Sequence, residues 1–223
     1  RDRRIDEIVE QRYDSWESAL QGLLRGDVAA ISRADLRDLK ALQDDGRFFV
    51  VPLSLPWSHF LMFHPSNAAL RDGQLRRALL HAIPRERLLN GIVLKDASST
   101  HGRLVTSPFA SKSYGNNRQL EQPIHDLQMA AALALAAKKR AGDSLPTLRL
   151  ICPADPTIRE VAREMIGNWK RVGVDVVLLE ETLDESQVAD NGWDICYRTA
   201  RFAEPVMDIW PLLTMRTDAS VAA

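Results

Sequence analysis

The sequence has too few cysteines for a disulfide framework or a metal centre. Its two thiols, Cys152 and Cys196, lie in separate apolar runs typical of strands, which favours buried free thiols. The five histidines are scattered, and His59 and His64 lie on a predicted strand and turn where their side chains need not converge. We therefore predict no metal site.

The chain also lacks an excess of positive charge and long apolar runs. Lys and Arg number 29 against 30 Asp and Glu, so the net charge of -1 provides no basic field to hold nucleic acid. No run of about 18 apolar residues occurs, so no transmembrane helix is predicted. The first residues, RDRRIDEIVEQRY, lack the apolar core of a signal peptide. The abrupt start without Met is what we expect of a domain cut out of a longer protein, so the missing export signal says little about the parent.

Catalytic signatures are missing as well. The sequence contains no G-x-S-x-G, no Walker loop, no H-E-x-x-H and no dinucleotide-binding glycine pattern. The acidic residues Asp184, Glu185 and Asp190 are close in number only, and a solvated loop is the better interpretation. We predict no catalytic residue and no cofactor.

The first 31 residues of the chain have the pattern of a strand, a helix and a strand. Apolar and charged residues alternate over 5–13, as in a half-buried strand, and 28–31 form a second apolar run. Between them, Asp14 and Glu17 have the spacing of a capping box, and Gly26 favours a helix end. The segment predicts a βαβ unit with parallel strands.

Further elements follow with clear boundaries. Leucines at helical spacing predict a helix that ends near Gly46, and the apolar runs at 48–55 and 59–63 predict strands. Two helices are predicted after the turn at 65–67, the second starting at Pro84. Residues 96–125 are rich in Ser, Gly, Asn and Pro and predict a long loop.

The last part of the chain repeats the strand and helix order. Asp126 is predicted to cap an Ala-rich helix, and a strand at 148–152 is followed by a helix that starts after Asp155 and ends at Gly173. Strands are predicted at 174–179 and 193–197. The two βαβ units predict an α/β fold with a mixed sheet flanked by helices.

The stretch from 59 to 89, HFLMFHPSNAALRDGQLRRALLHAIPRERLL, resembles the family 5 solute-binding proteins of ABC importers, which bind oligopeptides, dipeptides or nickel complexes. The matching residues are Phe63, Arg76, Ala78, Leu79, Ala82, Ile83, Arg85 and Glu86. Two positions depart from the family pattern, since His64 replaces an Asn and Pro84 replaces an Asp. The stretches HDLQMAAALALAAKK and EMIGNWKRVGVDVVL resemble later elements of the same family.

The resemblance implies one lobe of a two-lobed, periplasmic-binding-protein-like (type II) fold. The whole of 1–223 would be a single ligand-binding lobe, with sub-units 1–95 and 126–200 joined by the loop 96–125, and 205–223 would return toward a second lobe. In such proteins a peptide-like or other small solute binds between the lobes and is delivered to an ABC permease. The resemblance thus implies a periplasmic or extracellular protein that meets the membrane only through the permease or an anchor. A single lobe is expected to bind weakly.

The candidate ligand site lies in the segment YRTARFAEPVMDIWP, because polar residues follow an apolar strand end there. It contains Arg198, Thr199, Arg201 and Phe202. In the resembling family segment an aromatic and an Asp lie upstream of the Pro, and in peptide binders that Asp pairs with the ligand's ammonium. Counting back from Pro205, these positions fall on Arg198 and Arg201, so the charge is reversed.

The reversed charge changes the expected ligand. An ammonium about 4 Å from Arg201 would be repelled by about 4 kcal/mol at an effective dielectric of about 20. A guanidinium instead binds carboxylate or phosphate through paired hydrogen bonds, so we expect an anionic or carbonyl-rich ligand. The alternative is that Arg198 and Arg201 form structural ion pairs, for example with Glu204 or Asp208.

Trp57 and His59 are the second candidate pair, since PLPWSHFL resembles the family strand that leads toward the hinge. Trp57 is suited to stack on a ligand, although an aromatic at such a position is more often core. Among function classes, a transport-type binding lobe is favoured. A ligand-sensing or regulatory module on the same fold comes second, and an enzyme comes third.

Overall fold

The computed structural model describes the chain in several stretches and divides it into two compact units. The units are Arg1–Leu53 and Ser54–Ala223. The described residues are 5, 7–32, 34, 36–51, 57–95, 102–107, 109, 113–117, 119–182, 192–202 and 207–209.

The first unit contains two helices, α1 (Trp16–Arg25) and α2 (Leu36–Asp44). Ser15 caps α1 by accepting a hydrogen bond from the Ser18 amide at 3.1 Å, and Gly26 ends it with φ of 81°. The cap is therefore one residue later than the predicted box at Asp14. The Trp16 indole N–H donates to the Asp38 carboxylate at 2.6 Å and joins the two helices.

The first predicted βαβ unit is wrong. The described residues of 5–13 and all of 28–31 are outside any strand, and Ile8 is 84% exposed. Residues 48–51 of the predicted strand 48–55 are likewise not in a strand, and its remaining residues lie outside the described part of the chain. Alternating apolar residues favour a strand, but within the described part of the chain no strand lies beside these segments to supply the hydrogen bonds that would form one.

The second unit is built on a four-stranded mixed sheet, which confirms the predicted fold class. The strands are β1 (Trp57–Phe63), β2 (Leu148–Cys152), β3 (Val176–Thr182) and β4 (Ile195–Arg201), in the spatial order β1-β4-β2-β3. Strand β2 runs parallel to both β3 and β4, whereas β1 is antiparallel to β4.

The helices of this unit are α3 (Gly73–His81), α4 (Arg85–Leu88), α5 (Leu127–Arg140) and α6 (Pro156–Arg171). A 3-10 turn (Ala69–Arg71) precedes α3, and a π-helical turn (Leu89–Val93) continues α4. The predicted caps are confirmed, since Asp126 accepts the Met129 amide and Asp155 accepts the Ile158 amide. The unit β2-α6-β3 is the predicted βαβ unit.

One hydrophobic core joins one face of the sheet to α3, α5 and α6. Its fully buried large side chains are Leu75, Leu79, Leu148, Leu150, Trp169, Val174 and Ile195. A smaller cluster of Ile151, Trp193 and Cys196 lies on the other face. The core takes residues from both 1–95 and 126–200. The division of the lobe into two sub-units joined by the loop 96–125 stays a prediction.

Two further sequence predictions concern a long loop and the lack of a transmembrane helix. The described residues of the loop, 102–107, 109, 113–117 and 119–125, form no helix or strand. Among the described helices, none combines the length and apolar composition needed to cross a bilayer.

Candidate functional site

The candidate site lies at the sheet edge where the three mutually parallel strands end. Strands β2 and β4 are parallel, so Cys152 and Arg201 both mark this edge, and the antiparallel strand β1 begins there with Trp57. The edge beyond the carboxyl ends of strands is where open α/β sheets bind ligands. Helix α6 begins beside it, capped by Asp155.

Strand register brings four of the six predicted site residues onto one face. Trp57 is paired with Arg201 and His59 with Thr199 across β1 and β4. Side chains alternate between faces along a strand, so these four residues share the face of Tyr197, which contributes to the main core. Trp57 is 55% exposed, and Arg201 and His59 also retain solvent contact. The four side chains form a partly open aromatic and polar surface.

The other two predicted residues lie on the opposite face. Arg198 is paired with Phe60 and is half-buried. Phe202 is 1% exposed and packs between Phe60 and Phe109, with ring centroids 5.7 and 5.9 Å away. The predicted strand at 193–197 therefore ends too early, because β4 continues to Arg201 and places Arg198 and Arg201 on opposite faces.

The alternative of structural ion pairs finds no support within the described residues. Neither Arg198 nor Arg201 forms an ion pair with a described side chain, Asp208 included, and Glu204 lies outside the described part of the chain. The Arg201 guanidinium is exposed at the end of β4.

Tyr197 is a residue of this edge that sequence reasoning did not include in the site. Its hydroxyl is 2.9 Å from His59 Nδ1, and the two rings are edge to face at 6.0 Å. Burial raises the pKa of Tyr197, so its hydroxyl stays protonated. Desolvation lowers the pKa of His59, and the Asp155 carboxylate only partly offsets this, so the imidazole is neutral at pH 7. The sequence signal for Tyr197 is its spacing of two residues from Thr199, which places both on one face of a strand.

Burial and nearby arginines have opposite effects on the pKa of a thiol at this edge. Burial raises the pKa of the Cys152 thiol, while Arg159 and Arg163 on α6 act in the opposite direction. Burial also raises the pKa of Cys196 to about 12. Both cysteines are free and buried, as predicted. Among the described residues no cluster of His, Cys, Asp or Glu has metal-binding geometry.

A second polar region lies at the opposite edge of the sheet, around an open pocket of about 300 Å³. Its lining residues are His64, Ser66, Asn67, Arg149, Gly192, Trp193 and Asp194. The Asp194 carboxylate accepts hydrogen bonds from the Arg149 amide at 2.8 Å, from Arg149 Nε at 3.1 Å and from Asn67 Nδ2 at 2.8 Å. These bonds tie the turn after β1 to the starts of β2 and β4. They give Asp194 a structural role.

The mixed sheet and its covering helices define a lobe of the periplasmic-binding-protein type II fold. The chain belongs to family 5 of the bacterial extracellular solute-binding proteins. The model of this family, described as "Bacterial extracellular solute-binding proteins, family 5 Middle", matches residues 1–218. The family resemblance of the sequence is thereby confirmed. No curated protein sequence matches the chain.

Solved structures of substrate-binding proteins share the fold. The substrate-binding protein CtaP of Listeria monocytogenes superposes with a TM-score of 0.71 at 15% identity, covering 84% of this chain and 38% of CtaP. DppA of Helicobacter pylori in complex with the peptide STSA gives 0.66 at 16% identity, covering 88% of this chain and 38% of DppA. NikZ of Campylobacter jejuni in complex with Ni(L-His) gives 0.66 at 18%, covering 85% of this chain and 39% of NikZ. The chain spans about two fifths of each.

Proposed function

We propose that this chain is one lobe of the solute-binding component of an ABC importer and contributes the β1–β4 edge to a ligand cleft. The observation that carries the proposal is the pairing of Trp57 with Arg201 and of His59 with Thr199 on one face of that edge. A flat exposed aromatic ring, a guanidinium, an imidazole and a hydroxyl are thus next to one another. Family membership and the shared fold of the solved solute-binding proteins support it.

The charge of this surface favours a ligand with a carboxylate or several carbonyl groups. Arg201 donates several hydrogen bonds in a fixed planar geometry that suits carboxylate. The neutral His59 and the Thr199 hydroxyl suit further polar contacts, and Trp57 offers an apolar surface for stacking. A free ammonium beside Arg201 would be repelled, so we expect blocked or carboxylate-directed peptides and organic anions to bind best.

In the intact protein this lobe would close with a second lobe around the solute and present it to a permease. The solved relatives are more than twice as long as this chain, which leaves room for such a lobe. We place the intact protein in the periplasm or outside the cell, in agreement with its family. One lobe contacts one side of a ligand, so the isolated chain should bind more weakly than micromolar.

Isothermal titration of the intact protein tests the ligand chemistry. The panel comprises dialanine, N-acetyl-dialanine and succinate, measured on the wild type and on two charge reversals. Arg201→Asp should weaken the acidic ligands by at least tenfold and improve dialanine. Arg198→Asp is the matched control, because it makes the same charge change three residues away on the opposite face.

Two results would reject the proposed chemistry. One is tight binding of dialanine that Arg201→Asp leaves unchanged. The other is an equal effect of both charge reversals, because a general change of the field and not the β1–β4 edge would then govern binding.

A further inference from the structure

One arginine of α4 contacts the loop between α4 and α5 at two positions. Arg85 Nη1 donates to the Val105 carbonyl and Nη2 donates to the Pro123 carbonyl, each at 3.2 Å. Desolvation lowers the pKa of Arg85, consistent with a guanidinium enclosed between α4 and the loop. A single planar group thus joins two loop positions that are far apart in sequence.

Helix α3 holds the same loop at its second end. His81 Nδ1 donates to the Ile124 carbonyl at 2.8 Å, and the His81 carbonyl accepts the Asp126 amide at 2.9 Å. Within the loop, the Ser107 hydroxyl donates to Asn116 Oδ1 at 2.9 Å. Where it is described, the loop is therefore fixed by specific hydrogen bonds although it has no helix or strand.

The fixed loop brings Phe109 to the end of β4. Phe109 meets Phe202 edge to face, with ring planes at 88°. Phe202 directly follows Arg201, and its other aromatic neighbour is Phe60 of β1. Phe202 is buried under these rings and so connects the loop to the strand that holds Thr199 and Arg201.

Among the described strands, the end of β4 is paired on one side only. Strand β2 pairs with β4 at Ile195 and Cys196, whereas residues from Tyr197 to Arg201 pair with β1 within the described part of the chain. A strand end with one neighbour is held by fewer backbone hydrogen bonds and opens more easily. A buried side chain directly after it supplies the missing restraint.

We propose that Arg85 and Phe109 are positioning residues for the ligand edge, with Arg85 holding the loop and Phe109 fixing Phe202 so that Arg201 and Thr199 keep their places beside Trp57. Neither residue touches the ligand. The proposal rests on the proposed function for its ligand, but its structural part concerns the order of β4 and is measurable without any ligand.

Amide hydrogen exchange of the ligand-free intact protein tests the structural part. Phe109→Ala and Arg85→Lys should each speed exchange at 198–202 by at least tenfold and leave 148–152 unchanged. Lysine keeps the charge of Arg85 but has a single donor nitrogen on a flexible stem, so it does not reproduce the planar pair of nitrogens that bonds the two carbonyls. Phe109→Tyr, which keeps the ring, should restore slow exchange.

Arg87→Lys is the matched control, since Arg87 lies on the same helix and pairs with Glu164 of α6. It should leave exchange at 198–202 unchanged. The proposal is overturned if Phe109→Ala does not change exchange at 198–202, or if all strands of the sheet exchange faster to the same degree. The second result would show a general loss of stability.

Affinity measurements then test this proposal separately from the proposed ligand chemistry. For whichever of N-acetyl-dialanine and succinate binds through Arg201, Phe109→Ala should weaken binding at least fivefold, and Phe109→Tyr should restore it. If exchange responds as expected and neither compound binds, the loop's role stands and the ligand chemistry fails. If exchange responds but affinity does not, Phe109 orders the strand without positioning the site, and the proposal is wrong.

Discussion

Trp169 provides the sharpest test of how this lobe is held together. Its side chain is 0% exposed, and its indole N–H donates to the carbonyl of Leu79 at 2.9 Å. Leu79 lies in the last turn of α3, where carbonyls have no intrahelical partner. Ile83, which would donate to Leu79 in a continuing helix, donates to Leu80. Trp169 of α6 therefore caps the end of α3.

The cost of Trp169→Phe follows from two losses. The buried Leu79 carbonyl loses its hydrogen-bond partner, which costs about 1–3 kcal/mol. The smaller ring leaves a cavity of about 40 Å³, which at ~24 cal/mol per Å³ costs about 1 kcal/mol. We expect a total loss of roughly 2–4 kcal/mol, a large share of the ~5–15 kcal/mol that stabilises a domain.

Urea unfolding followed by circular dichroism measures this loss, and Trp57→Phe is the matched control. Trp57 is 55% exposed, so its replacement should change the free energy of unfolding by less than about 0.5 kcal/mol. A loss below about 1 kcal/mol for Trp169→Phe would refute the capping role. An equal loss for both variants would refute the assignment of one tryptophan to the core and the other to the site.

Three further predictions concern backbone conformation and pH. Gly173 has φ of 81°, so Gly173→Ala should cost about 1–2 kcal/mol, whereas Gly167→Ala inside α6 should stabilise by about 0.5–1 kcal/mol, both by thermal unfolding. Desolvation lowers the pKa of folded His59 from 6.5, so stability should fall as the pH drops below about 6.5, and His59→Gln should remove that fall. Burial would raise the pKa of Asp194, but hydrogen bonds led by those of Arg149 lower it from 3.8, so its stabilisation should be lost in acid titrations below about pH 4.

The helices and strands of the second unit were predictable because their ends depend on neighbouring residues. Helix α6 shows why, since Asp155 supplies the cap, Pro156 fits the first turn and Gly173 takes the left-handed conformation after the last turn. Each signal acts within a few residues of the chain. The predicted strand at 148–152 matches β2 for the same reason, because short apolar runs between turn residues need little further information.

The first unit was predicted less well because a strand depends on a distant partner. Residues 5–13 alternate as a strand does, yet Ile8 is exposed and no described strand pairs with it. The alternation of apolar and charged residues indicates which face would be buried against a partner strand. It does not indicate whether a partner strand is present. The sequence therefore shows the strand propensity of this segment but does not show whether the strand forms.

The candidate site shows the same limit at the level of single side chains. Counting back from Pro205 assigns Arg198 and Arg201 to the same site. This assignment requires that both residues lie in a loop. Once β4 extends to Arg201, an odd separation of three puts the two guanidinium groups on opposite faces, while Thr199 and Tyr197 fall on the face of Arg201. Strand length and register, which depend on β1, thus decide which arginine shares a face with Trp57 and His59 at the proposed ligand edge. The two charge reversals therefore report on register as well as on ligand chemistry, since the strand places the two residues on opposite faces.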